Sequence, residues 1–185
     1  RFIDKAAGPQ VAVSDAEVNS FYNANKAQMK MPEQVKARHI LVKAIDQEMK
    51  KELREKNPQL SEDDLEKAVT AEKAKRKAEA EALLKQMKSN PASFGDVAKQ
   101  HSDDPGSGKM GGELGYLIES NTDPDFWAAV THNPVGKLVP TVVTSQFGFH
   151  IIDVQEHKDA HIQSLAEAGA KIRKYMEDQK KQAWL

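Results

Sequence analysis

The chain has 185 residues and no cysteine. That excludes disulfides, cysteine-ligated zinc and thiol nucleophiles, and leaves the redox compartment open. Charge of one sign is also missing: 27 Lys+Arg stand against 28 Asp+Glu, for a formal net charge of −1. Such a balance argues against electrostatically driven binding to nucleic acid or to a membrane surface. Apolar runs last only a few residues, so no transmembrane segment is expected. The chain opens Arg1-Phe2-Ile3-Asp4 without an initiator Met or a signal peptide, and the expectation is a processed or trimmed product. HExxH and a GxSxG elbow are both absent. Gly106-Ser107-Gly108-Lys109 is too short for a P-loop and lacks the Ser/Thr after the Lys, so it reads as a turn. His157 and His161 are spaced for one helix face but have no supporting carboxylate arrangement. No metal and no cofactor are expected.

What is present is charge, unevenly placed. Its length implies one domain and a fraction, and 39% apolar against 30% charged residues is lean for one compact core. About half of the residues between Glu48 and Lys88 are charged, with mixed signs and many helix formers. Asn57-Pro58 breaks this stretch. Ser61 follows as an N-cap, with Asp64 at the capping-box position and Leu60 and Leu65 at the staple positions. A helix from Glu62 to Lys88 would be about 40 Å long. Its expected apolar stripe is Leu65, Val69, Ala71, Ala74, Ala78, Ala82, Leu83 and Met87. The plain reading is a solvated helical hairpin projecting from the domain; the sharper one is a partner-binding or self-associating arm.

Ser14 with Glu17 marks the start of a first helix, and Ser164 with Glu167 the start of a last one. Each has an apolar face, and the two are expected to pack on each other. Strand signals fill the middle: Val35–Val42, Leu114–Ile118, Leu138–Thr144 and Phe149–Val154. Short helices fall at about Ser93–His101 and Asp125–Val130. The pattern is α+β with a small antiparallel or mixed sheet. His39 and His150 each sit in a predicted strand, where a side chain faces either a core or a site. Phe94 to Gly115 reads as a helix, an acidic turn holding Asp104, a Gly/Ser loop and a Gly pair entering a strand.

The blocks RHILVK, FGDVAKQHSDDPGSGKMGGELGYL, DPDFWAAV and TSQFGFHIIDV occur in this order. Together they strongly resemble the parvulin-type peptidyl-prolyl cis-trans isomerases over roughly Val35 to Glu156. Only the gap after the first block is longer than usual, by about the length of the charged arm. The flanking helices resemble the layout of the bacterial extracytoplasmic PrsA- and SurA-like foldases, in which the isomerase domain is inserted into a helical chaperone domain. The resemblance implies a four-stranded parvulin-like sheet flanked by helices, with residues 35–157 as the isomerase domain and an inserted arm at about 46–74. Residues 1–34 and 158–185 would then be a partial chaperone domain.

Carried over by position, His39 and His150 match the two histidines of the active-site floor. Asp104 matches a position held by Asp or Cys. Leu114 and Phe126 match the residues that grip the prolyl ring. Thr144 falls close to the polar residue before the second histidine, and Phe147 lies next to the loop glycine Gly148. Thr122 departs from the usual Met, and Thr131 and Asn133 depart from the usual Phe and Leu. Trp127 is an unusual neighbour of Phe126, placed to refill lost pocket volume. No phosphate-binding basic loop follows Lys43.

The implied function is peptidyl-prolyl isomerisation and foldase action on unfolded, proline-containing secreted clients. The alternative is a parvulin-fold chaperone or assembly factor with little catalytic power. The implied location is extracytoplasmic, periplasmic or membrane-anchored on the outer side. Self-association through the flanking helices or the arm is compatible with this layout, and nucleic acid is not expected as a partner.

Overall fold

The computed structural model describes residues 11–184. In chain order these form α1 (Asp15–Asn25), a 3-10 turn (Lys26–Gln28), β1 (Lys30–Met31), β2 (Gln34–Lys43), α2 (Asp46–Lys56) and α3 (Glu62–Ser89). Then come α4 (Phe94–His101), the single turn α5 (Pro105–Gly108), β3 (Glu113–Leu117), α6 (Pro124–Thr131), β4 (Val143–Ser145), β5 (Gly148–Lys158), β6 (His161–Ile162) and α7 (Leu165–Trp184). The backbone divides into two compact units, residues 33–158 and the two flanking segments 1–32 with 159–185.

The larger unit is built on a four-stranded sheet in the order β3-β2-β5-β4, with every pairing antiparallel. β2 and β5 are the long central pair. β2 is buried along most of its length because both faces of the sheet are covered. One face presents Ile40, Val42, Phe149 and Ile151 to Leu84 and Met87 of α3 and to Phe94, Val97 and Ala98 of α4. The other presents Val35, Ala37, Ile152 and Val154 to Phe126, Trp127 and Val130 of α6. The alternation of a strand sorts these residues to their faces.

Leu138–Thr144 does not form the strand expected of it. Only Val143–Ser145 joins the ladder, while Leu138 makes an isolated bridge to Asp153. Pro140 lies between them, and a proline has no N–H to give to a ladder.

The charged arm also differs from a solvated hairpin. Ser61 caps α3 through the amide of Asp64, as its sequence predicts. Yet Met49 of α2 is fully buried, and Val69 joins the same core as Leu84 and Met87. The inward face of α3 runs Leu65, Val69, Arg76, Ala80, Leu84, Met87, whereas Ala71, Ala74, Ala78 and Ala82 are exposed. A stripe chosen by apolar identity drifts off this face because the helix repeats every 3.6 residues and a polar residue holds its middle. That residue is Arg76. Its stem is half-buried while its guanidinium donates to the Lys43 carbonyl at 2.9 Å, to Glu52 at 3.0 Å and to Glu72 at 3.1 Å. Long basic side chains commonly cover apolar surface in this way.

In the second unit α1 and α7 pack through Val18, Tyr22, Ala168 and Ile172, and β1 pairs with β6. Ser14 and Glu17 form a full capping box, and Ser164 with Glu167 another. The Tyr22 hydroxyl donates to the Gln163 carbonyl at 2.7 Å, tying the first helix to the segment before the last. Among the described residues no helix is long and apolar enough to cross a membrane.

Candidate active site

The site grows out of the β2–β5 register. Leu41 stands opposite His150 and His39 opposite Ile152, so His39 and His150 are diagonal neighbours on one face of the sheet. Both are buried, 6% and 3% exposed. Their rings stack with centroids 5.2 Å apart and their Nδ1 atoms 3.0 Å apart. Phe126 of α6 meets each ring edge-on, at 5.8 Å from His39 and 5.2 Å from His150.

The acidic loop arrives by zipping along β2. Ser102 Oγ accepts from the Leu41 amide, the Asp103 amide donates to the Leu41 carbonyl, and the Asp103 carboxylate accepts from the Lys43 amide. Asp104 then has two duties. Its Oδ1 caps the single turn α5 through the Gly106 amide, and its Oδ2 lies 2.8 Å from His39 Nε2 and accepts from Ser107 Oγ at 2.6 Å. At the other end of the row the edge strand β4 supplies Ser145, whose Oγ is 2.6 Å from His150 Nε2 and accepts from the Phe147 amide at 3.1 Å.

These contacts define one proton arrangement. A carboxylate only accepts, so His39 Nε2 donates to Asp104. His39 Nδ1 is then the acceptor, His150 Nδ1 the donor to it, and Ser145 the donor to His150 Nε2. Every bond in the row points the same way and ends on the anion. Burial disfavours the charged form of both imidazoles. It lowers the pKa of His39, against the raising effect of Asp104. It pushes His150 down to about 3, with the neighbouring His39 acting in the same direction. For Asp104 burial works upward, but the Ser107 hydroxyl, His39 and the Gly106 amide outweigh it and hold the carboxyl at about 2. The carboxylate is ionised and the imidazoles are neutral at neutral pH.

Over this floor lies a cavity of about 440 Å³. Leu41, Leu114, Leu117, Phe126 and Phe147 give it apolar walls; His39, His150, Ser145, Asp104 and Thr122 are polar groups within it, and Lys43, Asp103 and Asp123 add charged ones. Of the residues singled out in the sequence, His39, Asp104, His150, Leu114, Thr122, Phe126 and Phe147 therefore share one cavity. Thr144 does not. It is exposed, and Ser145 is the residue that meets His150. Val143 pairs with His150, so its face recurs two residues on at Ser145 and leaves Thr144 on the other. Ser145 follows from the β4–β5 register, in which it pairs with Gly148, and the Asp-Pro-Gly-Ser turn signal finds Ser107.

Trp127 does not refill the pocket; it is buried in the core behind Phe126. Thr131 and Asn133 lie outside the cavity, where Thr131 Oγ1 donates to the Trp127 carbonyl and Asn133 to the Lys137 carbonyl. Thr122 does line it, and its hydroxyl is satisfied by the Ile118 carbonyl at 2.7 Å, so it adds no unpaired polar group.

The backbone is shaped to fit. Gly112 has φ +85°, and a Cβ there would stand 2.3 Å from the His39 carbonyl oxygen. The His39 amide donates to the Gly112 carbonyl at 2.9 Å. The Gly pair thus lets β3 come close enough to fix His39.

Residues 22–158 match the model of the PPIC-type PPIASE domain. The chain belongs to this family. A Bordetella bronchiseptica protein named a probable parvulin-type peptidyl-prolyl cis-trans isomerase is 36% identical over 97 residues, which make up 52% of this chain and 38% of that protein. The foldase protein PrsA of Staphylococcus aureus is 36% identical over 124 residues, 67% of this chain and 33% of that protein. The matched part of this PPIC-type chain thus spans little more than a third of these relatives' length. A crystal structure of a PpiC-type peptidyl-prolyl cis-trans isomerase domain covers 71% of the chain and 96% of its own length, with a TM-score of 0.53 and 19% identity. The last match bears on the fold alone, and it agrees with the α+β architecture around the four-stranded sheet.

Proposed function

We propose that the chain catalyses cis-trans isomerisation of Xaa-Pro bonds in unfolded or folding polypeptides, and that residues 35–157 are the isomerase domain. The observation that carries the reading is the apolar cavity set directly over two buried, neutral, mutually bonded histidines. Membership of the PPIC-type family supports it.

The chemistry needs no bond cleavage. Rotation about X-Pro crosses a barrier of ~18–20 kcal/mol because the amide is conjugated, and unassisted exchange takes tens to hundreds of seconds. A catalyst must favour the twisted amide over the planar one. Leu114, Phe126 and their apolar neighbours hold the prolyl ring still. Around the rotating carbonyl they replace water, which favours the planar, more polar ground state. The row Ser145, His150, His39, Asp104 keeps the floor in one orientation, so no dipole has to reorganise during the twist. Asp104 tunes the field near the carbonyl and need not act as a nucleophile. Each ~1.4 kcal/mol of preference for the twisted state is worth a factor of ten in rate.

On the same reading residues 1–34 and 158–185 are part of a chaperone domain. The protein works outside the cytosol, in the periplasm or membrane-anchored on the outer side, on secreted clients. The test is exchange NMR on a proline peptide. Micromolar protein should accelerate exchange between the cis and trans resonances well above the buffer rate, and exchange equal to buffer would refute the catalytic reading.

A further inference from the structure

A prolyl ring seated against Phe126 leaves the residues beside it at the cavity mouth, and the charge there is one-sided. Asp103, Asp104 and Asp123 line the cavity, against Lys43 as the single cation among its lining residues. Lys43 does not offset them freely. Its Nζ lies 2.5 Å from Glu48 Oε2 in the first turn of α2. Its carbonyl is held by Arg76 of α3 and its amide by the Asp103 carboxylate, so the residue is fixed on three sides. Asp103 is exposed. Asp123 caps α6 through the amides of Asp125 and Phe126, which places its carboxylate at the start of the helix that carries the ring-holding Phe126. The inserted hairpin therefore spends the Glu48 carboxylate on the one base that would otherwise balance the mouth.

From this arrangement we infer that the site selects prolines whose neighbouring residue is cationic, and disfavours those flanked by an acidic or phosphorylated residue. The inference rests on the isomerase reading of the cavity and names its substrate class. A lysine or arginine beside the proline finds two or three carboxylates around an apolar recess. A glutamate there meets like charge, which discriminates by repulsion as well as by lost attraction. Because the mouth is solvent-exposed, the effect is screened by salt.

The test uses three peptides of the form Ala-Xaa-Pro-Phe, with Xaa as Lys, the uncharged isostere norleucine, or Glu. Isomerisation is read by exchange NMR, and binding by chemical-shift changes of cavity amides, in low salt and in about 0.5 M salt. The expected order is Lys, norleucine, Glu, with about a fivefold span in kcat/KM at low salt that narrows at high salt. D103N with D123N keeps a side-chain acceptor for all three backbone amides and should bring the span below about twofold. K43Q should widen it. Equal values for the three peptides, or a span untouched by D103N/D123N, would overturn the inference. If no peptide is isomerised but the binding series keeps the order, the substrate preference stands and only the catalytic reading falls.

Discussion

Acid should destabilise the larger unit through its two buried imidazoles before the surface carboxylates titrate. In an unfolded chain a histidine takes up a proton near pH 6.5. In the fold His150 resists it until about 3, because burial first and His39 second oppose the charge. A folded-state pKa below the unfolded one means that the neutral ring's contribution is complete above about pH 6.5. It is lost as pH falls toward about 3. Each pH unit in that window removes about 1.4 kcal/mol, so His150 alone removes about 2 kcal/mol by about pH 5. His39 adds to this in the same direction, tempered by Asp104. The carboxyl of Asp104, held at about 2, loses its own contribution only as pH falls from about 4 toward 2, so it leaves the range above about pH 5 to the histidines. A loss of about 2 kcal/mol is a large part of the roughly 5–15 kcal/mol that holds a typical domain together. Urea unfolding followed by circular dichroism at several pH values measures it. Between about pH 7.5 and 5 the unfolding free energy should fall with little change in the urea slope, and in H150Q the fall should be shallower by about one proton. A free energy that stays level over that range would refute the assignment of neutral, hydrogen-bonded histidines.

Substitutions at five positions test the pocket, the sheet and the hairpin. F126A removes the ring edge that meets both histidines; isomerisation measured by exchange NMR should drop strongly, alongside a stability loss of about 3–5 kcal/mol read by thermal unfolding. S145A should slow isomerisation while T144A leaves it near wild type, because only Ser145 meets His150. G112A forces a Cβ against the His39 carbonyl at a positive φ; it should cost about 1–3 kcal/mol or more in urea unfolding and lower isomerisation. R76A strips three bonds from the hairpin interface and should cost about 1–3 kcal/mol, whereas R76M, which keeps the stem, should cost less.

The parts of the fold written in local signals were legible in the sequence. Ser14, Ser61 and Ser164 announce helix starts because an N-cap needs only a side chain and the next turn's amides. The β-rich runs around His39 and His150 announce the central strands. The candidate site was legible where the family's blocks run unbroken, hence His39, Asp104, Leu114, Phe126 and His150. Ser145 was missed by one position, because its role depends on the register of β4 against β5, which the order of residues states only indirectly. The α3 face is hidden for a related cause: its buried middle belongs to Arg76, and an apolar pattern does not register a guanidinium whose stem does the packing. Leu138–Thr144 was read as a strand from its valines and threonines, and Pro140 overruled them.

The inward face of α3 meets α2 near one end, at Val69, and the sheet near the other, at Leu84 and Met87, along a single unbroken helix. Each residue turns the helix by 100°, so a deletion or insertion of one residue between Val69 and Ala80 would twist one contact region away from its partner. Seven residues, two turns, return the face to within about 20°, and eleven, three turns, do equally well with the opposite sign. The arm can therefore change length only in jumps of about 10 or 16 Å, unlike a flexible loop, which can change residue by residue. Variation in this insertion is quantised by helical phase.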